Sequence, residues 1–248
     1  MSTPLNHSIL KGFGILSLFS ADRKEISAET VVARLGMSRA TAHRFLMTLE
    51  HAGALRITRR GRFALGQKIE ELGWLAGESG SLSIIVQPEI DLLSSTLNES
   101  VMACRLTRFG PTCVAVANSS RPISVNVSVG TLLPLHTTAQ GKLWLSQMTS
   151  DERRARLAVT TIAGAKPAPV DLEPLEEDLK KTLRQGYALN LGENEPDIAA
   201  LAVPVKDGKG KTRLTISVFG MLSRFNQEFL DTAKGLLIEA SARVGDRL

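Results

Sequence analysis

Cysteine and histidine are scarce in this chain of 248 residues: two cysteines, Cys104 and Cys113, and four histidines, of which only His136 lies beyond residue 66. Two thiols nine positions apart supply neither a zinc ligand set nor a disulfide scaffold, and one imidazole in the long C-terminal part leaves a metal centre without its partners. No metal and no cofactor are expected. Buried free thiols are expected, with a redox sensor as the alternative. The Gly-x-Ser-x-Gly elbow of a serine nucleophile is also missing, so no catalytic residues are assigned. What remains of an enzyme reading is a small-molecule hydrolase, or another enzyme, carrying an accessory nucleic-acid-binding domain and using Ser217 near a helix start. No apolar run approaches the about 20 residues that cross a bilayer, and the opening MSTPLNHSILKG lacks the basic-then-apolar order of a secretory signal. No membrane partner and a cytoplasmic location are expected. Repeats and low-complexity segments are absent.

A composition of 43% hydrophobic and 22% charged residues suits one or two globular domains. Residues 26–66 carry the densest pattern. Ser27 is placed to cap a helix, with Thr30 three positions on and Val31, Val32 and Leu35 following at helical spacing. Gly36 supplies the left-handed residue past the helix end, Met37 and Ser38 complete a short turn, and Ser38 caps a second helix. Along that helix Ala42, Phe45, Leu46 and Leu49 share one face, leaving Arg39, Thr41, His43, Arg44 and Thr48 on the others. Gly53 closes it. Leu55–Thr58 and Arg62–Leu65 then alternate about Arg59, Arg60 and Gly61 as a β-hairpin with a cationic tip. Two short helices, a tight turn and a basic hairpin are the layout of a winged helix-turn-helix that docks into duplex DNA. The expected base readers are Ser38, Arg39 and Thr41; Arg59, Arg60 and Arg62 are expected on phosphate, while His43 and Arg44 fit either role.

Charge follows the motif. Residues 1–66 hold ten Lys/Arg against four Asp/Glu, a net of +6, whereas the remainder holds twenty against twenty-one, a net of −1. Phosphate neutralisation dominates nonspecific DNA affinity, so an excess confined to the reading segment has a direct use. A solvated basic face, or a lobe that grips RNA or another protein, is the competing reading.

A first helix from Ser8 to Phe19 is expected to cover the motif from behind with Ile9, Phe13, Leu16, Leu18 and Phe19. Ile69, Leu72 and Leu75 place another helix after the hairpin; their stripe fits either an intramolecular core or a dimer seam. Glycine and serine at 77–81 mark a linker. Beyond it the pattern predicts a helix from Gln87 to Leu97 and strands at Val101–Thr107, Thr112–Ala117 and Ser124–Val129. Helices follow near Thr138–Met148, Ser150–Leu157 and Leu172–Gln185, strands near Tyr187–Leu191, Leu201–Lys206 and Arg213–Phe219, and a last helix over Asn226–Val244. Strands and helices come in groups, which favours α+β over a doubly wound sheet.

Three stretches of the chain together resemble an IclR-type transcriptional regulator: MSRATAHRFLMTLEHAGAL with GRFALG, GTLLPLHTTAQGK at 130–142, and RQGYALNLGENEPDIAALAVPV at 184–205 continued by LTISVFGMLSRF. The resemblance covers nearly the whole chain. It implies a winged helix-turn-helix domain at 1–66, a linker helix at 67–80 and a GAF-like effector-binding domain at 81–248 with an antiparallel sheet and flanking helices. It also implies assembly as homodimers or homotetramers, operator DNA as one partner and a small-molecule effector as the other, with repression the commoner mode.

The second stretch has a chemistry of its own. After Pro134 the corner at His136, Thr137 and Thr138 opens a helix whose first N–H groups, near Ala139 to Gly141, could hold a carboxylate or carbonyl oxygen. Gly141 would permit close approach, and His136 reads as structural rather than as a ligand contact. Transferred position by position, the resemblance puts Ala139, Gln140, Asn190, Ile198, Ala200, Ser217 and Phe219 in the effector pocket. Asn190 and Leu191 stand where the family often has acids, Asp197 where it has glycine, and Phe219 where a small polar residue is frequent. These departures imply a narrower, less charged cavity, suited to a small organic acid or aldehyde.

Overall fold

The computed structural model describes residues 5–20, 23–77, 82–159, 170 and 172–248. By contacts it divides into Met1–Ser81 and Leu82–Leu248, so residues 78–81 of the expected linker lie outside the described residues.

In the first unit, α1 (His7–Leu16) is capped by Asn6, and α2 (Ala28–Leu35) by a reciprocal box between Ser27 and Thr30. Gly36 follows α2 at φ +65°, in the left-handed region a Cβ disfavours. Helix α3 (Arg39–His51) starts on Ser38, whose hydroxyl accepts the Thr41 N–H. Strands β1 (Leu55–Arg59) and β2 (Arg62–Leu65) form the hairpin, and Ile26 adds a bridge to Phe63 that ties the entry of α2 to it. Ile15, Ile26, Val31, Ala42, Leu46, Leu55 and Phe63 make a small core with Phe45 and Leu49 against it. Helix α4 (Gln67–Gly77) follows.

Two expectations here are corrected. The first helix stops at Leu16 rather than Phe19, and its fully buried residue is Ile15; Leu16, Leu18 and Phe19 pack on the core as expected, while Ile9 and Phe13 lie 58% and 65% exposed. HSILKGFGIL is apolar on more than one side, so periodicity alone could not say which side packs. Leu72 and Leu75 of α4 are likewise exposed, which removes the intramolecular-core reading for this part of the stripe.

The second unit is a five-stranded antiparallel sheet in the order β4-β3-β7-β6-β5, built from β3 (Ser100–Leu106), β4 (Pro111–Ala117), β5 (Ala188–Leu191), β6 (Ile198–Lys206) and β7 (Thr212–Met221). One face packs on α5 (Leu82–Leu97) and α9 (Gln227–Gly245) through Val86, Ile90, Leu201, Ile216, Val218 and Leu237. The other carries α6 (Ala139–Ser146), which packs on α8 (Leu172–Gln185); α7 (Ser150–Val159) lies between them in sequence. Helix α5 begins at Leu82, five residues before the expected start, and runs through Pro88. Val86, Ile90, Leu93 and Leu97 are spaced as one buried face, and that burial outweighs the backbone hydrogen bond lost at the proline. Ser124–Val129 is not a strand: its alternation is real, but Val125 and Val127 pack over the sheet face instead of joining a ladder. Among the described residues no helix is long and apolar enough to cross a membrane.

Candidate functional site

Helix α3 buries Ala42 and Leu46 and turns Arg39, His43, Arg44 and Thr48 to solvent, the division of faces the sequence implied. Ser38 and Thr41 are bonded to each other: the Ser38 hydroxyl accepts the Thr41 N–H at 3.2 Å and donates to Thr41 Oγ1 at 2.9 Å. Two of the three expected base readers are therefore part of the helix cap. S38A should lower the stability of this unit by about 1 kcal/mol; an unchanged melting curve would show that the cap is dispensable.

Arg39 pairs with Glu29 at 3.0 Å and Arg59 with Glu25 at 3.3 Å, all at the surface. The Thr58 hydroxyl and then the Arg59 charge hold the Glu25 carboxyl below its usual range; hydrogen bonds at the start of α2 and the Arg39 charge do the same for Glu29. Both acids stay ionised, so each arginine meets a phosphate from an existing partner. Arg60 and Arg62 are exposed beside Gly61, which turns the hairpin at φ +74°.

In the second unit the strand register gathers most of the expected pocket. Asn190, Ala200 and Phe219 form one row across β5, β6 and β7, and Ala188, Ala202, Ser217 and Met102 form the next, on the face where α6 lies. Ala139 and Leu143 of α6 pack there, and the Gln140 amide donates from Nε2 to Ser217 Oγ at 2.7 Å. Gln140 is 1% exposed and its Oε1 has no partner. Ile198 is half-buried at the start of β6, paired with Met221. Asp197 needs no left-handed backbone, since Asn98 is the one non-glycine at positive φ among the described residues.

Gly141 behaves differently from expectation. Its N–H is taken by Thr138 Oγ1 at 3.1 Å, and a Cβ would run into the Leu135 carbonyl. The close approach it permits is to the chain itself. Thr138 also donates to the Pro134 carbonyl at 2.6 Å, so this one side chain locks the corner to the helix. His136 is half-buried, and burial pushes its imidazole toward the neutral form.

Sequence reasoning missed two features. Lys142 is buried, with Nζ 2.7 Å from Asp178 of α8 and 2.6 Å from Glu193 in the β5–β6 loop, whose N–H is held by Asn190 Oδ1. These partners lie far from Lys142 in sequence, and no local pattern joins them. The second is the sulfur-bearing part of this packed face, Met102, Cys104 and Cys113; the alternation of VMACRL already placed Met102 and Cys104 on one face. Among the described residues no cluster of three or more His, Cys, Asp or Glu could hold a metal.

Known proteins resemble both units. A model of the bacterial transcriptional regulator IclR C-terminal region matches residues 78–245, and a model of the IclR helix-turn-helix domain matches residues 8–58. The chain is 23% identical over 247 residues to the HTH-type transcriptional regulator KipR of Bacillus subtilis, covering 97% of this chain and 98% of that protein. It is 22% identical over 246 residues to the transcriptional repressor IclR of Escherichia coli, covering 96% and 88%. A solved IclR homologue from Microbacterium hydrocarbonoxydans, complexed with 4-hydroxybenzoate, shares the fold at a TM-score of 0.78 and 20% identity over 96% of this chain and 97% of its own. A regulator from Silicibacter superposes at 0.80, with 22% identity over 97% and 95%.

Proposed function

This chain belongs to the IclR family of bacterial transcriptional regulators, and on that premise we propose that it is a repressor that releases or tightens on its operator when a small organic acid or aldehyde occupies the face between α6 and the sheet. DNA binding through the helix-turn-helix comes with the family. Base reading by Ser38, Arg39 and Thr41, with His43 and Arg44 beside them and Arg59, Arg60 and Arg62 on phosphate, is our assignment, supported by the exposure of all but the half-buried Thr41 along α3 and the hairpin.

The observation that carries the effector reading is the buried Gln140–Ser217 bond over a floor of Ala188, Ala200 and Ala202. A buried amide with one oxygen unmatched loses free energy until a donor reaches it. An effector with a hydroxyl supplies that donor: a hydroxy acid, or an aldehyde in its hydrated form. Phe219 fills one side, and the side chains in this row carry no charge. The 4-hydroxybenzoate of the solved homologue has this chemistry, a hydroxyl on a compact acid.

Ile9 and Phe13 lie four residues apart on α1, with Leu5 just before the helix, and all three are exposed, as are Leu72 and Leu75 on α4. We assign these stripes to a homodimer seam, or to one interface of a homotetramer, which would present two reading heads to one operator. An effector that binds one arrangement of the pair better than the other shifts the population of heads able to reach both half-sites.

The test titrates full-length protein on duplex from its own promoter with matched compounds, 4-hydroxybenzoate against benzoate and glyoxylate against acetate. The hydroxylated or hydrated member of each pair should shift DNA affinity, and Q140L should weaken its binding by roughly tenfold, the worth of about one hydrogen bond. Equal response to both members of each pair, or a Q140L protein that responds like the parent, would defeat the effector assignment. No preference for promoter duplex over scrambled duplex would defeat the operator assignment separately.

A further inference from the structure

The two cysteines of the chain face each other across neighbouring strands: Cys104 of β3 is the register partner of Cys113 of β4. The hydrogen bonds define what kind of pair this is. Cys113 donates its N–H to the Thr131 carbonyl and accepts at its own carbonyl from the Gly130 N–H, so its peptide groups point away from β3. Pro111 likewise accepts from Leu133 on that outer side, two residues earlier, as antiparallel alternation requires. Cys104 and Cys113 are therefore a non-hydrogen-bonded pair, the narrow kind, in which opposed Cα atoms sit about 4.5 Å apart and side chains are closest. A disulfide needs Cα atoms within roughly 4.4–6.8 Å and Cβ atoms within roughly 3.5–4.5 Å. The Cα spacing falls within that range, and the Cβ atoms, about 4.5–5.5 Å apart for opposed residues, need only a small approach.

Both sulfurs lie on the face that carries α6, and neither is bonded to the other as the protein stands. The Cys104 thiol is 3.9 Å from Met102 Sδ, and Cys113 donates to the Ala115 carbonyl at 3.4 Å. Strand β4 is the edge of the sheet, and a bulge at Val114 follows Cys113 directly, so this end of the ladder has slack that a central pair lacks.

We propose that Cys104 and Cys113 are a cross-strand dithiol that a hydroperoxide closes to a reversible disulfide on the effector-binding face. The step balances with the oxidant named. The Cys113 thiolate attacks one peroxide oxygen, the O–O bond breaks, and the departing hydroxide takes a proton to leave as water. The Cys104 sulfur, giving up its proton, then attacks the sulfenic sulfur of Cys113, the S–O bond breaks and a second water leaves. Two thiols lose two electrons to one hydrogen peroxide. The order of roles follows from the surroundings: a hydrogen bond from Cys104 pulls the Cys113 thiol below its usual range, whereas burial pushes Cys104 up. The thiols are buried, so the reaction waits on opening of the segment from Gly130 to Leu133 that caps the β4 edge, and exposure over hours is the relevant window.

The full-length protein is incubated with hydrogen peroxide, alkylated after denaturation and mapped without reduction. The expected result is loss of both free thiols, a peptide pair joined through Cys104 and Cys113, and full recovery with dithiothreitol. C104A should leave Cys113 without a partner, oxidised more slowly than in the parent because the hydrogen bond from Cys104 is gone and stopping at a sulfenic acid that dimedone traps, and C113A should leave Cys104 a thiol. Persistence of both thiols in the parent, a bond formed only between chains, or direct passage to sulfonic acid would each overturn the proposal. The parent protein alone decides the matter if either variant fails to fold.

Discussion

Replacing Arg59, Arg60 and Arg62 together by alanine should weaken binding to every duplex alike, promoter or scrambled, by on the order of 100-fold per reading head at 0.15 M salt. The estimate follows from counterion release: with a slope of about 0.9 per phosphate contact, each contact is worth roughly fivefold at that salt relative to 1 M. Three contacts multiply. The slope of log affinity against log salt should fall by two to three, with Arg59 giving the smallest share because it must first leave Glu25 at 3.3 Å. Fluorescence anisotropy across a salt series measures both quantities. Substitutions on α3 should behave in the opposite way, lowering discrimination between sites by roughly 1–3 kcal/mol per base contact while leaving scrambled duplex little affected. A uniform loss from α3 variants and a selective loss from hairpin variants would reverse the two assignments.

The second large effect is expected at Gly141. Alanine is the better helix former by up to about 1 kcal/mol, so an exposed helical glycine such as Gly73, with nothing near a new Cβ, should tolerate or gain from it. At Gly141 the neighbour is the Leu135 carbonyl, and backbone does not yield as a flexible side chain does. Overpacking costs of about 1–3 kcal/mol apply, at the upper end here, which outweighs the propensity gain. The net loss is about 2 kcal/mol, and at about 2–4 °C per kcal/mol for a domain of this size the melting temperature should drop by roughly 4–8 °C. A G141A protein that melts with the parent while G73A does likewise would mean that the corner at Leu135 moves freely.

The contrast between the two units explains what the sequence could reveal. In the first, each decisive signal is local: Ser27 and Thr30 bond across three positions, Gly36 and Gly53 end their helices at positive φ, and Gly61 turns a hairpin whose strands alternate. The exception is α1, where Ile9 and Ile15 are equally apolar and only the packed partner distinguishes them. In the second unit the five strands of the sheet were legible, with Ser124–Val129 wrongly added to them, but their order was not. Placing β7 between β3 and β6 depends on pairings more than a hundred positions apart, Met102 with Ser217 among them. The positions expected to line an effector pocket, Asn190, Ala200, Ser217 and Phe219, came from family resemblance, and only the register shows them to be neighbours. Lys142 and its two acids carry no signature at all, because opposite charges on separate elements look the same whether or not they meet.

The central position of β7 has a further consequence. Ser217 faces Gln140, while its chain neighbours Ile216 and Val218 face the opposite way into the layer holding Val86 and Ile90 of α5. A single peptide thickness therefore separates the atom that an incoming metabolite would nudge from the helix that opens the second unit at Leu82. Close-packed interiors have low compressibility, so a strand displaced by a few tenths of an ångström on one side presses on the other without being absorbed between them. Coupling from the proposed effector face to α5 needs no long relay through the protein, only one stiff ribbon with a buried polar pair on its front and an apolar layer on its back.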